Sequence, residues 1–191
     1  MRRKDQRSRD IIDIIRDVVK ATSKECPIIV FDHLGKFKEI ECPELNYVFG
    51  NSRYVKSRLD ELSIEGTYPK LPMIALFLPF TEQRGNPDYH AKAKIRILIA
   101  CSTIRDWSNE QRKEYSFKNI LHPIYNSFMK ALKADGRLRI SYDGDIPHEY
   151  SENYSIGRYG LYKDPDDAVS EPIDAINLTN IELIIKNKSC I

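Results

Sequence analysis

Residues that could do chemistry are concentrated in one stretch, HEYSENYSIGRYGLY, which runs from His148 to Tyr162. It combines a histidine and two glutamates, the groups used in acid–base catalysis, with tyrosines and an arginine, which are enriched where proteins bind one another. Three interpretations fit this composition. The stretch could be the wall of an active site, a loop that docks on another protein, or a long loop whose aromatic side chains fold back on their own sheet.

The rest of the sequence offers little support for catalysis. A catalytic site needs converging acids, bases or nucleophiles, yet the four histidines are scattered at positions 33, 90, 122 and 148. The sequence contains no nucleophile elbow, no phosphate-binding glycine loop and no zinc-protease motif. We interpret His122 as a helix residue that satisfies a backbone group, and His33 as the polar end of a strand. We therefore expect no enzyme, no catalytic residues and no cofactor.

Two metal-dependent alternatives deserve a test. The segment DGDIPHE at 143–149 has three carboxylates and a histidine, but it lacks the ligand periodicity of a calcium loop and fits a turn built on Asp and Gly. The Pro-Asp pair at 87–88, followed by Lys92 and Lys94, resembles the Mg²⁺ motif of restriction-like nucleases. The positions two before these lysines hold His90 and Lys92 rather than acids. The sequence favours lysines on the wet face of a strand, and no metal site.

Composition indicates one globular domain. The chain has 191 residues, of which 41% are hydrophobic, so it can form a sizeable core. Its cysteines, at 26, 42, 101 and 190, form no C-x-x-C pair and no zinc-ligand spacing. We expect an intracellular, reducing site of synthesis. The longest apolar run, LPMIALFLPF, is about half of a membrane span, so we expect no membrane partner.

Charge is nearly balanced overall but uneven along the chain. A net charge of +2 gives no reason to expect sequence-specific binding of nucleic acid. The start, MRRKDQRSR, has five basic residues and one acid, whereas residues 164–174 have five acids and no base. Such runs are commonly solvated surface. They could also be complementary faces of a protein that assembles with itself or with a partner.

Hydrophobic spacing predicts the elements that hold these residues. Helices are predicted over 10–21, with Asp10 as the N-cap, over 52–63 and, after a Ser108–Gln111 capping box, over a long segment that ends at Gly136. Pro123 predicts a kink or break near His122. A strand is predicted over 27–34, and the continuous apolar run at 71–80 predicts a strand covered on both faces. The alternation of polar and apolar residues at the start of 91–103 predicts a further strand, paired antiparallel with 71–80. Residues 173–187 are predicted to form one long or two short strands, and shorter candidates lie at 46–50 and 137–143.

The predicted fold is therefore a single α+β domain over residues 1–191. It has a mainly antiparallel sheet, an N-terminal helix and a long helix packed on one face. A basic arm at 1–9 precedes the first helix. A long loop insertion at 143–172 precedes the last strand, and a loop of this length points to a functional role.

The order of these elements resembles that of the small α/β tail-terminator and tail-completion proteins of tailed bacteriophages, the class typified by the lambda tail terminator. The resemblance runs in order through DIIDIIRDVVKATS, NYVFGNSRYVKSRLDELS, LPMIALFLPF, AKAKIRILIACST, NILHPIYNSFMKAL and IDAINLTNIELIIKN. It implies a structural virion protein of the tail or neck, made in the host cytoplasm. Such a protein forms a ring, typically a hexamer, between the tail tube protein and the neck or connector proteins.

Other functions stay open beside this one. The chain could be a head-closure or connector component of the neck, a metal-dependent nuclease or a host adaptor domain. Ring subunits usually meet through two different surfaces, and we predict that the arm, the tyrosine-rich stretch and the acidic segment supply them. The predicted interface residues are Arg2, Arg3, Lys4, Tyr150, Tyr154, Arg158, Tyr159, Tyr162, Asp164, Asp166 and Asp167.

Overall fold

The computed structural model describes residues 8–31, 36–63, 72–104, 106–140, 144–156 and 173–187. Its α+β fold has the predicted N-terminal helix and long helix. The elements in chain order are α1 (Ile11–Lys24), β1 (Ile28–Phe31), β2 (Phe37–Ile40), β3 (Asn46–Gly50), α2 (Ser52–Ser63), β4 (Met73–Phe77), β5 (Thr81–Gln83), β6 (Ala91–Ser102), α3 (Asn109–Arg112), a π-helix (Lys113–Leu121), α4 (His122–Ala134), β7 (Leu138–Arg139), β8 (Glu149–Ile156) and β9 (Ile173–Ile185).

A seven-stranded sheet forms the centre of the described structure. Its order is β3-β4-β6-β9-β7, while β5 pairs with β6 and β8 pairs with β9. The predicted antiparallel pairing of β4 with β6 is confirmed. The pairing of β3 with β4 is parallel, so the sheet is mixed. β1 and β2 pair antiparallel in a separate hairpin. β2 was not among the predicted strands.

Apolar side chains on the two faces of the sheet form two cores. On one face, isoleucines of β6 and β9 pack against α1, the π-helix and α4. On the other face, a smaller cluster joins β3, β4 and the start of β9 to Val55 of α2. The predicted cap of α1 is confirmed, because the Asp10 side chain accepts a hydrogen bond from the Ile12 N–H at 2.8 Å. In the described parts, no helix is long and apolar enough to cross a bilayer.

The long helix changes type along its length. The capping box is confirmed, with Ser108 and Gln111 bonded to each other's backbone N–H. From Lys113 to Leu121 the helix is of the wider π type, and the His122 N–H donates to the carbonyl of Phe117, five residues back. The α-helix resumes at His122, next to Pro123, which has no N–H to donate. The expected kink or break near His122 is therefore a change of helix type within a continuous helix.

The loop predicted over 143–172 is wrong for residues 149–156, which form β8. This strand is antiparallel to β9, with Tyr150 opposite Leu178 and Glu152 opposite Ile176. The sequence did not predict this strand because it has polar side chains on both faces and lacks the usual alternation of apolar and polar residues. The final segment forms one long strand with a bulge, where Thr179 and Asn180 lie opposite the single residue Arg96 of β6. Asn180 has φ = 55°.

Candidate functional site

The described part of the tyrosine-rich stretch is β8, and one face of that strand lies on the long helix. Side chains alternate along a strand, so Tyr150, Glu152 and Tyr154 share the face that meets the helical core. Glu149 shares the opposite face with Ser151 and bonds the side chains of Thr179 and Asn180. The pattern places one carboxylate between two tyrosines, directly against the helix.

Glu152 is the centre of a hydrogen-bonded network. His122 Nε2 lies 2.7 Å from its Oε1. The Tyr150 hydroxyl donates to the same oxygen at 2.8 Å, and the Tyr154 hydroxyl donates to Oε2 at 3.0 Å. Partial burial by itself raises the pKa of Glu152, but the bonds from His122, Tyr150 and Tyr154 outweigh it and hold this pKa below its usual value.

The network is suited to holding β8 in place and poorly suited to taking up a proton. Burial, and then the hydrogen bond to Glu152, raise the pKa of Tyr154 to about 12, and the same causes raise the pKa of Tyr150. Both hydroxyls therefore stay protonated at neutral pH as donors. A carboxylate that accepts three hydrogen bonds and has a lowered pKa is a weak base. We call this set of residues, His122, Tyr150, Glu152 and Tyr154, the Glu152 clamp.

Aromatic packing reinforces the clamp. The Tyr154 ring stacks on Phe117 of the π-helix at 4.3 Å between centroids. The Tyr150 ring meets Tyr125 of α4 edge to face at 5.1 Å. His148 Nδ1 lies 2.7 Å from the Ile146 carbonyl, which can only accept, so this nitrogen carries the proton. In the neutral ring, Nε2 then accepts from the Tyr125 hydroxyl at 2.9 Å.

The structure places few of the predicted interface residues. Tyr150 is 40% exposed, whereas Tyr154 is half-buried against its own helix. The expectation that His122 satisfies a backbone group is wrong for its Nε2, which bonds a carboxylate. The other predicted interface residues lie outside the described residues: Arg2, Arg3, Lys4, Arg158, Tyr159, Tyr162, Asp164, Asp166 and Asp167.

The last acid of the 164–174 segment is not at the surface. Asp174 is fully buried, and its Oδ1 lies 3.4 Å from Nη1 of Arg112, which is 3% exposed. The guanidinium of Arg112 also donates to the carbonyls of Ile104 and Trp107, at 2.8 and 3.1 Å. This ion pair joins the start of β9 to the start of the long helix. Sequence reasoning missed it because the partners are 62 residues apart.

The carbonyl that Arg112 bonds in Trp107 adjoins an aromatic surface that the sequence did not reveal. The rings of Phe31, Phe37, Trp107 and Tyr115 contact one another at centroid distances of 5.1–5.8 Å. Phe37 is 54% exposed. These four residues, called the hairpin patch below, join the β1–β2 hairpin to the π-helix.

Exposed aromatic side chains also lie at two of the outer strands, one on each side of the sheet. Phe49 in β3 is 38% exposed, and Tyr54 in α2 is 51% exposed. The Tyr54 ring packs so closely on Gly50 that a Cβ there would come within 2.5 Å of it. Arg16 lies over the rings of Tyr47 and Phe49, at 5.9 and 6.0 Å. At the other side of the sheet, Tyr150 marks β8.

The lysines considered for a nuclease site face an acid from another strand. Lys92 and Lys94 lie 3.1 and 3.8 Å from the carboxylate of Glu182 on β9. Neither lysine is fully buried, as predicted for the wet face of a strand. Within the described ranges, no group of three or more His, Cys, Asp or Glu side chains is placed to hold a metal ion.

Comparison of the sequence with models of known protein families and with curated proteins finds no match. Function must therefore be inferred from the surfaces of the molecule and from the resemblance in its order of elements.

Proposed function

We propose that this protein is a structural subunit of a tailed-phage virion. It assembles into a closed ring at the neck end of the tail and joins the tail tube to the head–tail connector. The observation that supports this best is the exposure of large aromatic side chains on the two sides of the sheet, Phe49 and Tyr54 at β3 and Tyr150 at β8. A ring subunit needs two such surfaces, because each copy meets its two neighbours through different patches.

A ring between two other assemblies also needs contacts along its axis. The hairpin patch suits such a contact, because aromatic residues are enriched in the buried centres of protein interfaces. Exposed Ile29 and Ile104 extend the apolar surface carried by the hairpin and by the segment before the long helix. We assign the sheet edges to neighbouring copies, and the hairpin patch to the tail tube protein or to a connector protein.

The N-terminal arm supplies the electrostatic part of the proposal. Arg9 donates to the carbonyls of Lys186 and Asn187, so the last residue of the arm lies beside the end of β9. We propose that the basic residues before Ser8 meet the acidic segment at 164–167 of a neighbouring copy or of an adjacent tail protein. Opposite charges of this kind speed encounter and fix orientation.

Native mass spectrometry and negative-stain electron microscopy test the ring. We expect a closed assembly of about six copies. Phe49→Lys should abolish it, because the lysine places a charge at the edge of β3. Ile29→Lys is the matched control, since Ile29 is 39% exposed against 38% for Phe49 but lies on the hairpin. Loss of the assembly in both variants, or in neither, would remove the support that the exposed sheet edges give to the proposed ring.

Binding to isolated virion parts distinguishes a tail terminator from a connector component. A terminator should bind the ends of purified tail tubes, whereas a head-closure protein should bind portal-containing heads. A monomer that cleaves DNA in the presence of Mg²⁺ would contradict the proposal and would favour a nuclease.

A further inference from the structure

The outer strands of the sheet differ in how well they are guarded against pairing with other chains. Natural edge strands are kept short or carry lysine, proline or bulges, since an open edge is a template for another strand. β5 and β7 are short, with three and two residues. β3 has five residues, β8 has eight, and neither contains a lysine or a proline. The register of β8 with β9 is irregular only beyond Asn153. Within the described ranges, no strand pairs with the outer edge of either one.

Strand directions determine how two copies could join at these edges. β3 is parallel to β4, and each of the three steps from β4 through β6 and β9 to β8 is antiparallel. Consequently β3 and β8 run in opposite directions. Rotation about an axis along the strands preserves these directions, so β8 of one copy would meet β3 of the next copy antiparallel. A two-fold dimer would instead bring β8 against β8.

We infer that the partner of β8 is β3 of a second copy of this chain, so that one sheet continues from subunit to subunit. This inference rests on the proposed ring and names its contact. The five residues of β3 match the five residues 149–153, which pair with β9 in unbroken register. Full overlap places Phe49 opposite Tyr150, and both residues are exposed on the helical face. Cross-strand aromatic pairs of this kind stabilise antiparallel sheets.

Charge favours the same occupant. Residues 149–156 contain two acids and no base, whereas residues 46–56 contain two bases and no acid. Copies that meet through these segments attract each other, whereas two β8 strands repel.

Disulfide trapping tests the contact. Phe49→Cys and Tyr150→Cys are combined in a chain in which Cys42 and Cys190 are replaced by serine. Cys26 and Cys101 can stay, because both are buried and burial raises the pKa of both thiols. Diamide then joins each pair of thiols and takes up the two protons and two electrons. Head-to-tail pairing should give a ladder of covalent oligomers above the dimer on a non-reducing gel.

Control variants separate the possible results. Phe49→Cys with Ser151→Cys, whose side chains point to opposite faces, should give little ladder. A dimer formed by Tyr150→Cys alone would show two-fold pairing and overturn the inference. Rings by native mass spectrometry without a ladder would overturn the strand pairing and leave the ring intact, whereas a monomeric wild-type chain would refute the ring itself.

Hydrogen exchange on the wild-type chain gives a second test that does not depend on cysteine variants. Amides of residues 149–153 should exchange more slowly in the assembly than in the diluted monomer, because the second strand bonds those that face outward. Equal exchange rates in the two states would count against the pairing, even where a cysteine variant fails to fold.

Discussion

Removing the carboxylate of Glu152 should loosen β8 and lower the stability of the subunit. Glu152→Ala takes the acceptor from His122, Tyr150 and Tyr154 at once. Each hydrogen bond contributes about 0.5–1.5 kcal/mol net, and the side chain is only 27% exposed, so we expect a loss of about 2–3 kcal/mol. For a chain of this size that corresponds to a fall of roughly 1 M in the urea midpoint.

Fluorescence of Trp107, the single tryptophan, follows the unfolding. Glu149→Ala is the matched control. It removes a glutamate that also accepts two hydrogen bonds, but this glutamate is exposed and lies on the opposite face of the same strand. Its effect should be clearly smaller. Equal shifts of the midpoint for the two variants would refute the view that burial against the long helix gives the clamp its strength.

Three further predictions concern charged groups. Arg112→Met should destabilise the subunit by about 3–5 kcal/mol because it removes the arginine from a buried ion pair, and adding Asp174→Asn should restore part of that loss in urea unfolding. Because the pKa of Glu152 is lowered in the folded state, this residue stabilises the fold above its unfolded pKa of about 4.3. The stabilisation is lost as pH falls through the folded pKa. The stability gap between wild type and Glu152→Gln should therefore be full at pH 7 and shrink below about pH 4. Deletion of residues 1–7, which spares the bonded Arg9, should weaken assembly at low salt more than at high salt in light scattering, and an unchanged salt response would exclude the arm.

Local signals predicted much of the fold. The Asp10 cap, the Ser108–Gln111 capping box and the alternation of β6 each depend on residues close in sequence, and each is confirmed. The fully buried run of β4 identified a strand covered on both faces. These signals are reliable because the residues that produce each one lie within a single short segment of the chain.

Contacts between distant segments could not be predicted in the same way. β8 has polar side chains on both faces, so its sequence shows no alternation of apolar and polar residues. Only its pairing with β9 and its packing on the long helix identify it as a strand. His122 and Glu152 lie 30 residues apart, and nothing in either segment indicates their pairing. The ion pairs of Lys92 and Lys94 with Glu182 likewise join two strands that are distant in sequence, so residue spacing could not predict them. In the described part of the tyrosine-rich stretch, the contacts of Tyr150 and Tyr154 depend on the helix beneath them.

The central claim, that this chain builds a closed ring, is tested most directly by imaging the purified wild-type protein by cryo-electron microscopy over a range of concentrations. We predict one closed ring in which β3 of each copy lies beside β8 of the next. A monomer at every concentration, or a two-fold dimer joined through other surfaces, would contradict the claim.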